Sequence, residues 1–160
     1  MAKSFKQEGQ ANGSLTHEGL TVRRFEPADE QAVVSLWKQC DLTRPWNDPC
    51  KDIARKLGVQ GDMFLVAFLS GQVVGSVMAG YDGHRGWINY LAVAPDYRHR
   101  GLGRRLMAEA ERRLLALGCP KINLQVRLAN QKAIEFYRHI GYAQDDVVSL
   151  GKRIIPDDDP

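Results

Sequence analysis

The pattern of apolar and polar positions divides the chain after residue 20 into a mixed series of strands and helices. Thr21-Val22-Arg23-Arg24-Phe25 reads as a short strand. Pro27-Ala28-Asp29 then opens a helix with Ala32, Val33, Leu36 and Trp37 on its apolar face. A second helix is predicted over about 50–57, ending at Gly58. The apolar runs Met63–Leu69 and Val73–Ala79 flank Ser70-Gly71-Gln72 and predict a hairpin. After the glycine-rich turn Gly80–Gly86, Trp87–Val93 predicts the next strand. From Leu102 the period becomes helical. Leu102, Leu106, Ala110, Leu114 and Leu117 share one side, with Arg104, Arg105, Glu109, Arg112 and Arg113 mostly on the other.

Gly118-Cys119-Pro120 ends this long helix, and Lys121–Val126 reads as a further strand. Asn130 stands at an N-cap, with Ala133, Phe136, Tyr137 and Ile140 at helical spacing, and Gly141 supplies a left-handed cap against which Tyr142 packs back. Residues 142–147 and 148–154 predict a last strand pair. Antiparallel strands followed by strand, helix, strand imply one parallel crossover in an otherwise antiparallel sheet. The fold class expected is therefore one mixed α/β domain over 20–155. Residues 1–19, polar and aperiodic, are expected to be a disordered extension, and 156–160 a solvated acidic tail.

Composition narrows the function. A net charge of +3 on 160 residues does not argue for nucleic acid, and the arginines concentrate around 98–113, which suits one small polyanion. Cys40, Cys50 and Cys119 match no zinc spacing; no metal is expected, and the thiols suggest a reducing compartment. No apolar run approaches the roughly 18–20 residues of a membrane span, and the N-terminus lacks a secretion signal, so a cytoplasmic protein without membrane contact is expected.

Arg98-His99-Arg100-Gly101-Leu102-Gly103 lies between a strand and a long helix. Unpaired N–H groups at a helix start carry partial positive charge, glycines permit close approach, and arginines add forked donors, so a phosphate cradle is the leading reading. The alternative is a common strand–turn–helix with solvated arginines. Arg104-Arg105-Leu106 replaces the Lys-Ser/Thr that a P-loop requires, and Leu106 stands where a dinucleotide fingerprint needs Gly or Ala. Upstream, the loop 40–49 carries two prolines with Asp41, Arg44, Trp46 and Asp48. It reads either as a stiff ligand-contacting lid or as a helix connection with Trp46 packed inward.

Leu91-Ala92-Val93, Arg98-x-x-Gly101-x-Gly103, Asn130, and Phe136-Tyr137-x-x-x-Gly141-Tyr142 together resemble the GNAT superfamily of N-acetyltransferases, over about residues 20–155. The segments around Arg44-Pro45-Trp46 and Gly80–Gly86 look like its bacterial YpeA-type members. The resemblance implies a GNAT fold of about seven strands and four helices, its sheet splayed between the fourth and fifth strands, with acetyl-CoA in the opening. It implies that the main chain of Leu91, Ala92 and Val93 lines the pantetheine, like an added strand, and that Arg98, His99, Arg100, Gly101, Leu102, Gly103 and Arg104 hold the pyrophosphate. Asn130 would contact the pantetheine or the thioester end, and Tyr137 would act as the acid that returns a proton to the departing thiolate, staying protonated beforehand.

Acetyl transfer to nitrogen also needs a neutral amine. An amine of pKa about 10.4 is only on the order of 0.1% neutral near pH 7.4, so a proton acceptor is expected. Several relatives of the resembled family carry a Glu where this chain has Gln125; Asp82, as catalytic or substrate-contacting residue, and His84 are the alternatives. The acceptor rim is expected to include Asp41, Arg44, Trp46, Asp48 and Asp82, with Asp145 and Asp146, which suits a small amine or amino-acid-like acceptor. Protein or peptide acetylation, a non-catalytic acyl-CoA-binding module and DNA binding stay open as alternatives, as does a homodimer.

Overall fold

A computed structural model describes residues 19–157 of the chain. The expected N-terminal extension therefore lies, apart from Gly19, outside the described residues, as do the last three residues of the tail. Five strands form one sheet in the order β1-β2-β3-β4-β5: β1 Thr21–Arg24, β2 Phe64–Leu69, β3 Gln72–Tyr81, β4 Gly86–Val93 and β5 Ile122–Leu124. The first four pair antiparallel in succession, and β5 runs parallel to β4 through Gly86↔Ile122, Trp87↔Asn123 and Ile88↔Leu124. Four α-helices, α1 Glu30–Gln39, α2 Pro49–Gly58, α3 Leu102–Ala116 and α4 Gln131–His139, cover the two faces.

The continuous apolar runs of β2 and β3 follow from burial on both faces. Leu65 and Ala67 face α3 with Leu102, Leu106, Met107, Ala110 and Leu114. Phe64 and Val66 face the opposite core of Val33, Leu36, Trp37 and Ile53. Two glycines let the layers meet. A Cβ on Gly75 would lie 2.8 Å from Leu106 Cδ1 and 3.0 Å from the Ala92 carbonyl, and one on Gly86 would lie 2.8 Å from Cys119 Sγ. Cys119 is thus a buried core filler at the crossover.

Helix boundaries follow local chemistry. Asp48 caps α2, its carboxylate accepting from the Cys50 and Lys51 N–H groups. Asn130 caps α4, accepting from Ala133 N–H at 3.2 Å. Gly141 (φ 101°) closes that helix, with Tyr142 N–H bonded to Tyr137 O at 2.9 Å.

Two expectations are corrected. The sheet has five strands among the described residues, not about seven, because 142–147 and 148–154 form no ladder. Their apolar residues Val147, Val148, Leu150 and Ile154, and Ile155 just beyond, are exposed, so no core holds them in register. Side-chain ties hold the segment instead, at the two ends of β5 through Asp145 to Lys121 and Ser149 to Gln125, and then at the α1–α2 loop through Arg153 to Asn47. Nor is the tail solvated throughout. Asp157 is buried, 2.5 Å from Arg55 and 2.7 Å from the Asp48 N–H, while Lys51 donates to its carbonyl at 2.6 Å.

Candidate active site

The sheet opens where β4 and β5 part. Their pairing ends at Ile88/Leu124, so the rest of β4 has no neighbour on that side. Ala94 N–H bonds to Val74 O, toward β3, and by strand alternation the peptide groups of Leu91 and Val93 turn toward the open side. The Val93 carbonyl already receives Arg98 Nε at 3.1 Å and Cys40 Sγ at 3.3 Å.

Beyond Val93 the chain passes a 3-10 turn, Pro95–Tyr97, and enters the loop before α3. His99 (φ 60°) and Gly101 (φ 82°) are both left-handed, an alternation that turns successive N–H groups into one concavity. The first turn of α3 has no acidic residue and no side-chain cap, so its N–H groups and the dipole stay available to an anion. Arg98, His99, Arg100, Arg104 and Arg105 are exposed around it, with Arg100 placed 5.6 Å over the Tyr97 ring. This set fits a pyrophosphate. The two glycines serve different needs: Gly101 supplies the left-handed turn, whereas a Cβ on Gly103 would lie 3.1 Å from Phe136 Cζ, so Gly103 seats α4 against α3.

That packing fixes Tyr137. Its ring lies edge-on to Phe136 (5.2 Å) and to Tyr142 (5.7 Å). Burial pushes the phenol up to about 12, and no group among the described residues hydrogen-bonds its hydroxyl.

Residues 31–142 match the family model of the acetyltransferase (GNAT) family. The chain is 52% identical over 139 residues to an acetyltransferase of Sodalis glossinidius and 51% identical over 138 residues to one of Pectobacterium atrosepticum, each alignment covering 86% of this chain and 98% of the relative. The chain belongs to the GNAT family. Among solved structures, the family fold recurs in Ard1 from Thermoplasma volcanium, with a TM-score of 0.69, 26% identity, and coverage of 78% of this chain and 83% of that one. It recurs also in the aminoglycoside acetyltransferase AAC(6')-Iy bound to a bisubstrate analogue, at TM-score 0.69 and 19% identity over 84% of this chain and 98% of that one. As a GNAT acetyltransferase, the chain takes its acetyl group from acetyl-CoA, to which the edge of β4 and the mouth of α3 are suited. No three His, Cys, Asp or Glu side chains among the described residues are grouped to hold a metal, and no helix there is long and apolar enough to cross a membrane.

The residues expected around the acceptor are dispersed. Asp82 stands at the far end of β4, where its carboxylate accepts from the N–H groups of His84 (2.8 Å) and Arg85 (2.7 Å) and from Trp87 Nε1 (3.1 Å). Those backbone bonds lower its pKa and occupy its lone pairs. Gly86 and Tyr90 are separated by four residues of strand, about 13 Å, so Asp82 and His84 hold a turn away from the splay. Arg44 is also engaged, donating to Asp41 O at 2.9 Å, Asp41 Oδ1 at 3.1 Å and Thr43 O at 2.8 Å; it braces its own loop, and the Asp41 side chain points to solvent. Trp46 is half-exposed, with the Arg127 guanidinium 6.0 Å over its ring, so an internal cation already takes that π face and links the loop to the segment after β5. Asp48 caps α2, and Asp145 pairs with Lys121 at 2.7 Å. Asn130 spends its carbonyl oxygen on the α4 cap, which leaves its amide N–H₂ as the group to face a ligand.

Sequence reasoning missed Tyr90 and Asp52. Tyr90 follows Asn89 in β4 and reads as one more strand aromatic, and Asp52 looks like an ordinary acidic residue in the first turn of a helix. In the fold their side chains meet at 2.6 Å. The only signal was the adjacent polar pair Asn89-Tyr90, which breaks the alternation between Ile88 and Leu91.

Proposed function

We propose that the chain transfers the acetyl group of acetyl-CoA to the primary amine of a small, amino-acid-like acceptor, by direct attack of the amine, with Tyr137 supplying the proton to the leaving sulfur. The observation that carries this reading is the conjunction of an unpaired β4 edge, an uncapped α3 mouth rich in arginine and a buried Tyr137 with no partner for its hydroxyl.

Main-chain groups of Leu91 and Val93 and the loop from Arg98 to Arg104 hold the donor, and Asn130 faces its thioester end. Tyr137 remains protonated at every neutral pH. Its elevated pKa of about 12 stands some 3.5 units above a thiol near ~8.5, so complete transfer to a free thiolate is uphill by about 5 kcal/mol. Tyr137 therefore gives up its proton only as water replaces it, while its O–H dipole stabilises the negative charge that develops on sulfur as the C–S bond breaks.

Tyr137→Phe is expected to lower kcat by about 10²-fold, within the range for loss of a positioned acid, with the acetyl-CoA Kd unchanged. Thiol release during a screen of amino acids, polyamines and amino sugars reads out the acceptor class. Turnover restricted to peptides and proteins would replace a small acceptor by a protein one, and unchanged turnover in Tyr137→Phe would remove the acid.

A further inference from the structure

Tyr90 is left-handed, with φ 51°, although it lies within a strand. A bulky side chain pays for that conformation, of order 1–3 kcal/mol, so the surroundings must impose it. They do so from three sides. The β3–β4 register shifts between Ser76 and Met78, opposite this position, and Ser76 Oγ donates to the Tyr90 carbonyl at 3.0 Å. Trp37, fully buried and donating Nε1 to the same Ser76 Oγ at 2.8 Å, stacks on the Tyr90 ring at 3.8 Å and 13°. Asp52 Oδ2 receives the Tyr90 hydroxyl at 2.6 Å. This over-determined residue sits two positions past the last β4–β5 pair, where the sheet begins to open, with its ring on the α1–α2 face.

The polarity of the pair is fixed. Asp52 as a carboxylate only accepts, so the Tyr90 proton points at it and the lone pairs of the phenol oxygen remain to receive a donor. Asp52 Oδ1 pairs with Arg55 at 3.1 Å, and Arg55 is shared with Asp157 at 2.5 Å, so one guanidinium serves two carboxylates. The charged groups around the pair are thus Arg55 of the same helix and Asp157 of the C-terminal segment. Burial and the adjacent carboxylate push the Tyr90 phenol up, which keeps it a neutral relay rather than an anion.

We infer that Tyr90 and Asp52 receive the amino group of the acceptor and carry off its proton. The inference rests on the acetyl-transfer reading and supplies the proton acceptor that Gln125 cannot be. An amine N–H donates to the Tyr90 oxygen, which turns the nitrogen lone pair away from Tyr90 and toward the splay. An ammonium near ~10.4 is too weak an acid to protonate a carboxylate, so the neutral fraction reacts, its first proton having gone to water. As the N–C bond forms, the nitrogen becomes far more acidic. Its surplus proton then passes to the Tyr90 oxygen while the Tyr90 proton passes to Asp52. The C–S bond breaks, the sulfur takes the Tyr137 proton, water reprotonates Tyr137, and the partly exposed Asp52 returns its proton to water. The sum is one ammonium and one thioester giving one amide, one thiol and one proton.

The test does not depend on knowing the acceptor. CoA derivatives whose sulfur carries an aminoalkyl arm, in a series of lengths, are compared with isosteric alkyl arms by calorimetry on the full chain. For at least one arm length the amine is expected to bind wild type about tenfold tighter than its alkyl counterpart, as befits a charge-assisted hydrogen bond. That preference is expected to vanish in Asp52→Asn and to shrink severalfold in Tyr90→Phe, with plain CoA binding unchanged. Tyr90→Phe keeps the ring on Trp37, which guards against loss of fold. With any amine found to be acetylated, both variants are expected to lower kcat and leave the acetyl-CoA KM alone. An amine preference absent from wild type at every length, or preserved in both variants, overturns the assignment and leaves the pair as a structural tie between α2 and β4. If plain CoA itself fails to bind wild type, the donor site falls first and this inference with it.

Discussion

Single residues in this fold often serve two neighbours at once, and substitutions at them separate packing from chemistry. Ser76 is fully buried, accepting from Trp37 Nε1 and donating to the Tyr90 carbonyl. Ser76→Ala leaves the indole N–H and a strained backbone carbonyl unpaired. The expected loss is about 1–3 kcal/mol for the buried donor, read as a lower urea midpoint at unchanged slope. Gly103 gives the complementary case. Gly103→Ala places a Cβ 3.1 Å from Phe136 Cζ, so the Phe136 ring must give way on the helix that carries Tyr137. Overpacking of this kind costs about 1–3 kcal/mol. Pairing it with Phe136→Leu is expected to recover stability; equal destabilisation in the double variant would show that the glycine is needed for some reason other than this contact.

At the scale of elements, what the sequence revealed and what it hid have physical reasons. Helices α1, α3 and α4 were legible because each buries one stripe: Val33, Leu36 and Trp37 on the first, Leu102, Leu106 and Leu114 on the second, Phe136, Tyr137 and Ile140 packed against the core from the third. The caps of α4 were legible too, because Asn130 and Gly141 act within a few residues, whereas Asp48, expected on the acceptor rim, turned out to cap α2. The Tyr90–Asp52 pair joins residues 38 apart in sequence across two elements, and a bulge leaves no mark in a hydrophobic pattern. The missing C-terminal strand pair is the converse: Val147, Val148, Leu150, Ile154 and Ile155 carry strand propensity, but propensity without a surface to cover does not make a ladder. The cap of α4 yields a prediction at this scale. Asn130→Ala is expected to cost about 1 kcal/mol, whereas Asn130→Asp keeps an acceptor for Ala133 N–H and so keeps the helix. If the Asn130 amide faces the donor's thioester end, Asn130→Asp weakens acetyl-CoA binding while the melting temperature holds. Unchanged binding in that variant would limit Asn130 to its capping role.

At the scale of the whole molecule, the last described residue of the chain returns to the side of the fold proposed for the acceptor. Asp157 binds Arg55, which also binds Asp52, and it accepts the N–H of Asp48 at the start of α2. The Arg55 guanidinium first, and then that N–H, hold the Asp157 carboxyl down at about 2. Since its pKa is depressed on folding, its contribution is complete above the ordinary carboxylate value near ~3.9 and is lost as pH falls through about 2. Asp157→Asn is therefore expected to lower the melting temperature at pH 7 and to make progressively less difference below about pH 4, the two curves meeting near pH 2. Amide exchange at the start of α2 should follow the same course, fast in the variant at neutral pH and equally fast in both at the acidic end. A difference between the two proteins that persisted undiminished at pH 2 would mean that Asp157 holds α2 by shape alone. Arg55, freed from one of its two carboxylates in Asp157→Asn, would then be left wholly to Asp52, so the amine preference of the acceptor side should weaken in the same variant even where its fold is intact.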